Sequence, residues 1–124
     1  MIQALDSVTS QVANKSLDAL WMRSNAISDN IANIDTSGYK SKTVSFEDSL
    51  SGALADNNLT ESETASLAPT QVEQSGNIDQ NGNGVDLESE MIELTRNQLQ
   101  YSYMTKAVTG SYNLLSLATN EGRG

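Results

Sequence analysis

A chain of 124 residues with seven Lys and Arg against sixteen Asp and Glu, net charge −9, lacks the basic surface that nucleic acids and anionic membranes require. It contains no Cys and no His, which removes disulfides, thiolate metal sites and the commonest general base, and a single Trp, Phe and Pro leave few bulky groups for a self-sufficient core. No catalysis, no cofactor, no nucleic acid and no direct lipid binding are expected; an elongated chain that completes its folding on a partner is.

The first predicted element is a helix. Ile2, Leu5, Val8 and Val12 fall at three- and four-residue steps, and Leu17, Leu20, Ser24, Ile27, Ile31 and Ile34 continue the alternation in a different phase. A sustained repeat of this kind marks a coiled-coil seam rather than the broader stripe of a globular helix. The helix runs into residues 25–40, Asn-Ala-Ile-Ser-Asp-Asn-Ile-Ala-Asn-Ile-Asp-Thr-Ser-Gly-Tyr-Lys, where Asn30, Asn33 and Asp35 compete for backbone hydrogen bonds. Gly38 supplies the positive φ that closes such a turn. Capping and turning are the expected roles of Asn30, Asn33, Thr36 and Gly38, with Tyr39 beside Lys40 placed to anchor an interface.

Lys42, Val44 and Phe46 alternate with Thr43, Ser45 and Glu47, which predicts at most a short β segment. Residues 43–95 carry eleven acids and no Lys or Arg, and residues 51–84 offer few apolar anchors, so this acidic middle reads as an irregular loop with room for one hairpin. A second reading attaches to its end. Asp79, Asn81, Asn83, Gly84 and Glu90 fit the spacing of an EF-hand calcium loop, in which oxygen ligands on alternate residues and a later carboxylate wrap a hard cation. Against it, Asp86 stands at an ordinarily apolar position and residues 71–78 form no amphipathic entering helix. An Asn-Gly turn leading into the next helix is the plainer reading.

The last predicted element is the longest. Leu87, Met91, Leu94, Gln98, Tyr101, Thr105, Val108, Tyr112 and Leu115 follow strict four-three steps, with Asp86, Glu88 and Glu90 complementing the dipole of the first turn. Gly110 weakens this helix, and residues 120–124 end it. The fold class expected is all-α: long N- and C-terminal helices pairing as a coiled-coil-like hairpin, divided into residues 1–42, an acidic middle 43–84, and residues 85–124. No run is long and apolar enough for a transmembrane helix, and residues 1–10 show no cleavable leader.

Asn30-Ile31-Ala32-Asn33 followed by Thr36, Gly38, Tyr39 and Lys40 closely resembles the signature of the bacterial flagellar rod, hook and hook-associated axial proteins, with Ser37 where that family usually has Pro. Gly84-Val85-Asp86-Leu87-Glu88-Ser89-Glu90-Met91 and Asn97-Gln98-Leu99-Gln100-Tyr101 resemble its proximal-rod members. The resemblance implies a structural subunit of the basal-body rod, a drive shaft that transmits torque and surrounds the export channel. It also implies type III export to an extracytoplasmic site without a cleaved signal. The partners implied are further copies, neighbouring rod and basal-body proteins, and the export apparatus. Leu20, Ile27, Ile31, Ile34, Met91, Leu94, Tyr101, Val108 and Tyr112 are then the expected assembly seam, and Asn30, Asn33, Thr36, Gly38, Tyr39 and Lys40 the signature turn. A secreted helical hairpin of another export system is a further alternative. Its usual Trp-x-Gly turn is missing, since Trp21 is followed by Met22 and Arg23.

Overall fold

Helical periodicity at both ends of the chain becomes two long helices. The computed structural model describes residues 2–55, 59–74 and 84–122, and its elements in order are α1 (Ile2–Ala32), β1 (Lys42–Ser45), α2 (Glu47–Ala55), α3 (Glu61–Ser66), β2 (Thr70–Glu73) and α4 (Leu87–Glu121). The chain is mainly α. At 1.5 Å per residue, α1 and α4 extend about 46 and 52 Å. The phase change near Val12 does not interrupt α1. Asp86 caps α4: its carboxylate accepts from the Glu88 amide at 3.1 Å and from the Ser89 hydroxyl at 3.0 Å, satisfying donors the first turn leaves open.

The two long helices pack antiparallel. Asn30, near the end of α1, meets Glu90 at the start of α4, and Asn97 one to two turns further on meets Leu20 and Ser24. A smaller layer lies on α1. β1 pairs antiparallel with β2 in the register Lys42 to Glu73 and Val44 to Gln71. Val44 and Phe46 point inward while Glu47 stays in solvent. Phe46 and Leu67 close over Ala19 of α1, with Leu50 and Ala53 of α2 packed against them. Arg23 fastens this layer by donating to the Val44 carbonyl at 3.1 Å and to both Glu47 oxygens at 2.7 and 2.8 Å.

The expectation of an irregular middle with at most a β segment is corrected here, because α2 and α3 are helical. α3 starts at a reciprocal cap in which Thr60 Oγ1 accepts from the Glu63 amide and the Glu63 carboxylate accepts from the Thr60 amide. Its anchor is Thr64, wholly buried, whose hydroxyl donates to the Thr60 carbonyl. Acidic composition hid a helix whose start signal, Thr-x-x-Glu, was in plain view. Among the described residues the buried apolar ones are Ala19, Leu20, Ala26, Ile27, Val44, Phe46 and Leu67, none of them on α4. α4 is therefore held to the rest of the molecule along one edge only.

Candidate assembly surface and its polar joint

Asn30 does not cap α1. It is buried, and its amide makes four hydrogen bonds to three elements. Oδ1 accepts from the Lys42 amide at 2.8 Å and the Tyr39 hydroxyl at 3.2 Å; Nδ2 donates to the Lys42 carbonyl at 2.8 Å and to Glu90 Oε1 at 3.0 Å. The pair of bonds to Lys42 mimics a strand partner, so α1 holds β1 by side chain where another strand would hold it by backbone. Only a group with donors on one side and acceptors on the other meets these four demands, which is why Asn serves and a carboxylate does not. Burial is tolerable because every polar atom is satisfied.

Asn33 and Thr36 handle the helix end. Asn33 Nδ2 donates to the Asp29 carbonyl at 2.8 Å, and its Oδ1 accepts from the Thr36 hydroxyl at 3.1 Å. The Tyr39 amide donates to the Thr36 carbonyl at 3.2 Å, and Gly38 has φ of 78°, the geometry of a type II turn with glycine at its third position. Tyr39 is half-buried through its bond to Asn30, whereas Lys40 is exposed and bridges to Gly84 in parallel fashion. A Cβ on Gly84 would sit 2.5 Å from the Tyr39 carbonyl oxygen, so the approach of the turn to the start of α4 requires glycine there.

The electrostatics follow from burial and partners. Desolvation raises the Glu90 carboxyl above its ordinary range, with the Asn30 hydrogen bond opposing and the nearby Glu93 and Asp86 reinforcing it. Tyr39 is raised mainly by burial, against the lowering effect of Lys42. Burial also pushes Glu47 upward, yet the hydrogen bonds from Arg23 and the backbone, with the Arg23 charge, together hold it below the usual carboxylate value. Of the calcium-loop pattern, Asp79, Asn81 and Asn83 lie outside the described residues. Gly84 and Glu90 are engaged by the turn and by Asn30.

The expected seam residues divide between three environments. Leu20 and Ile27 are buried; Ile31, Ile34, Leu94 and Val108 are half-buried; Met91, Tyr101 and Tyr112 are exposed. On α4 the face toward α1 carries Glu90, Leu94, Asn97, Met104 and Val108, while Leu87, Met91, Gln98 and Thr105 of the expected heptad line face outward. Beyond Met104 the helices part around an open groove of ≈ 540 Å³, with Val12, Ala13 and Ser16 on one wall and Met104, Val108 and Leu115 on the other. Leu114, at its rim, is 70% exposed, and outside it stand Tyr103 and Leu117, 75% and 59% exposed. Residues 107–120 carry no charge at all. Exposed leucines on an uncharged helix face mark a surface that a partner covers.

Asn97 belongs to the Asn97-Gln98-Leu99-Gln100-Tyr101 motif, and the sequence assigns it no role of its own. It is as buried as Asn30, and Nδ2 donates to the Leu20 carbonyl at 2.9 Å and the Ser24 hydroxyl at 2.7 Å. The signal that would have found it is spacing: it lies three residues after Leu94 and four before Tyr101, one position from the polar Gln98 that the strict heptad selected.

Comparison with known proteins decides what the surface belongs to. The family model for flagella basal body rod proteins matches residues 11–40, the part of α1 that ends in the Asn30 joint and the turn. The flagellar basal body rod protein FlgB of Bacillus subtilis is 31% identical over 128 aligned positions, covering 97% of this chain and 99% of that one. The chain belongs to the flagellar basal body rod protein family. FlgB of Borreliella burgdorferi is 36% identical over 110 positions, with 75% of this chain and 82% of the relative covered, and FlgB of Borrelia hermsii is 33% identical over 111. This member of the rod family is a structural subunit of the flagellar basal body, and its family is one of structural proteins rather than enzymes. Membership of the rod family implies assembly with other basal-body rod proteins.

Proposed function

We propose that the chain is a proximal-rod subunit whose terminal helices, residues 1–42 and 85–124, pair in coiled-coil manner as an inner layer around the export channel, with residues 43–84 as a separate outer segment. The observation that carries this reading is the uncharged, leucine-rich run of residues 107–120, exposed on a helix held along one edge. Copies of the chain and neighbouring rod proteins close over it, and Met91, Tyr101 and Tyr112 join Leu20, Ile27, Ile31, Ile34, Leu94 and Val108 as the seam. Many shallow helix contacts suit a shaft, because torque spread over a long interface loads no single contact. The signature turn, Asn30, Asn33, Thr36, Gly38, Tyr39 and Lys40, fixes where the inner helix ends and the outer segment begins. The subunit leaves the cytoplasm through the type III export apparatus and acts outside it.

Tyr112→Asp tests the assignment. Tyr112 is 55% exposed, so a charge there leaves the single chain folded while placing an unpaired carboxylate in the assembled seam. Cells with this variant as their sole copy should not swim or build rods, while the purified variant keeps the helix content and solubility of its parent. Normal swimming would rule out the seam.

A further inference from the structure

The contacts between α1 and α4 leave their register underdetermined over most of their length. From Met104 onward the facing residues of α4 are Val108, Ser111 and Leu115, and those of α1 are Thr9, Val12, Ala13 and Ser16, all uncharged. Apolar side chains recur at near-heptad spacing on both helices, so sliding one past the other by a heptad exchanges apolar for apolar and alters the buried area little. Across this open half no polar or charged pair opposes such a slip among the described residues.

Two buried amides do oppose it. Asn97 forks between the Leu20 carbonyl and the Ser24 hydroxyl, and Asn30 reaches Glu90. Both fit one antiparallel register, which carried to the open end sets Val12 opposite Val108, and these two line the same groove. Asn97 is also imperfectly served: its Oδ1 is buried and accepts no hydrogen bond among the described residues. A side chain chosen for stability at this position would be apolar. A buried amide that satisfies its donors in one alignment, and leaves an acceptor orphaned even there, has the character of a register specifier that trades stability for uniqueness.

We infer that Asn97, with the Asn30 bond to Glu90, sets the register of α4 against α1, and that the apolar seam alone does not. Asn97 is a positioning residue: it decides how far along α1 the uncharged stretch of α4 lies, and so where neighbours meet it. The inference concerns the hairpin within one chain, so it stands apart from how copies assemble.

The chain has no cysteine, which makes register directly readable by disulfide trapping in the full-length protein under conditions where the parent is helical. Val12→Cys with Val108→Cys reports the native register. Val12→Cys with Leu115→Cys, or with Tyr101→Cys, reports a slip of one heptad in either direction. In the parent background only the native pair should cross-link within the chain. With Asn97→Leu and Glu90→Leu added, the slipped pairs should rise to a share on the order of a tenth or more of the trapped material. Helix content and melting temperature should hold or increase. Glu90→Leu leaves the Asn30 bonds to Lys42 and Tyr39 in place, so the turn is not disturbed. Exclusive native cross-linking in the doubly substituted, folded chain would overturn the inference, as would slipped cross-links in the parent. Loss of helix in both this variant and its Asn97→Ala, Glu90→Ala counterpart would overturn it too, because the amides would then be needed to fold at all rather than to select among folded registers.

Discussion

Asn30 shows how one side chain organises a joint that backbone pairing would otherwise need several residues to make. Replacing it by Asp keeps size and shape but removes both donors, leaving the Lys42 carbonyl unpaired and setting a second carboxylate against Glu90. Two lost hydrogen bonds and a like-charge contact in a buried setting amount to about 2–4 kcal/mol. The sign of the pH dependence follows from which form the joint disfavours. An acid whose folded pKa is raised is stabilising below its unfolded value and loses that contribution as pH rises through the folded one. Glu90 is already raised, and the new carboxyl is raised by the same desolvation and repulsion. The deficit of Asn30→Asp relative to the parent should therefore be full at neutral pH and shrink as pH falls toward about 4. Urea unfolding at a series of pH values measures it. A pH-independent deficit would place the loss in packing rather than charge.

At the scale of elements, the turn after α1 is built from Thr36, Ser37, Gly38 and Tyr39, with glycine already meeting the demand for positive φ. Ser37 occupies the second position, where a type II turn favours the φ that proline fixes. Its N–H enters no backbone hydrogen bond among the described residues. Ser37→Pro should accordingly stabilise the chain by about 0.4–1 kcal/mol, roughly 2–6 °C in thermal melts, by restricting the unfolded state. A lower melting temperature would mean that Thr36 cannot take the extended backbone a following proline imposes. Much of this element was legible in advance, since Asn33, Thr36 and Gly38 announce a helix end by their chemistry. The same holds for the alternation that made β1, whereas Asp86, expected to complement the dipole within the first turn, is the cap before it. What was not legible has physical causes. α2 and α3 lie in a stretch whose charge suggested solvation, yet Phe46 and Leu67, far apart in sequence, suffice to pin them on Ala19. A strict heptad predicts an inner face for α4 that includes Gln98 and Thr105. Over a helix this long the 3.6-residue turn drifts from that line, so Asn97 and Met104 face inward while Gln98 and Thr105 do not.

For the whole molecule, charge and apolar surface are separated along its length. The acids concentrate around the lateral layer and the start of α4, while residues 107–120, toward the far end of the hairpin, are uncharged and carry exposed Tyr112, Leu114, Leu115 and Leu117. Two forces then act on any pair of copies. The apolar end favours association in proportion to the area it removes from water, and a net charge of −9 per chain opposes it over a distance set by the ionic strength. Salt screens the second and leaves the first intact. Because the buried apolar residues among those described all lie off α4, the far half of that helix gains its stability from being covered, so association and helix formation should rise together. Far-UV circular dichroism across a concentration series, paired with sedimentation, reads both. Helix content should climb with chain concentration, and raising sodium chloride from about 0.05 to 0.5 M should move the rise to lower concentration as the screening length falls from roughly 14 to 4 Å. Full helix at every concentration in a sedimenting monomer would show a hairpin that needs no neighbour. A rise that salt displaces to higher concentration would show that ion pairs, rather than the uncharged end, hold the copies together.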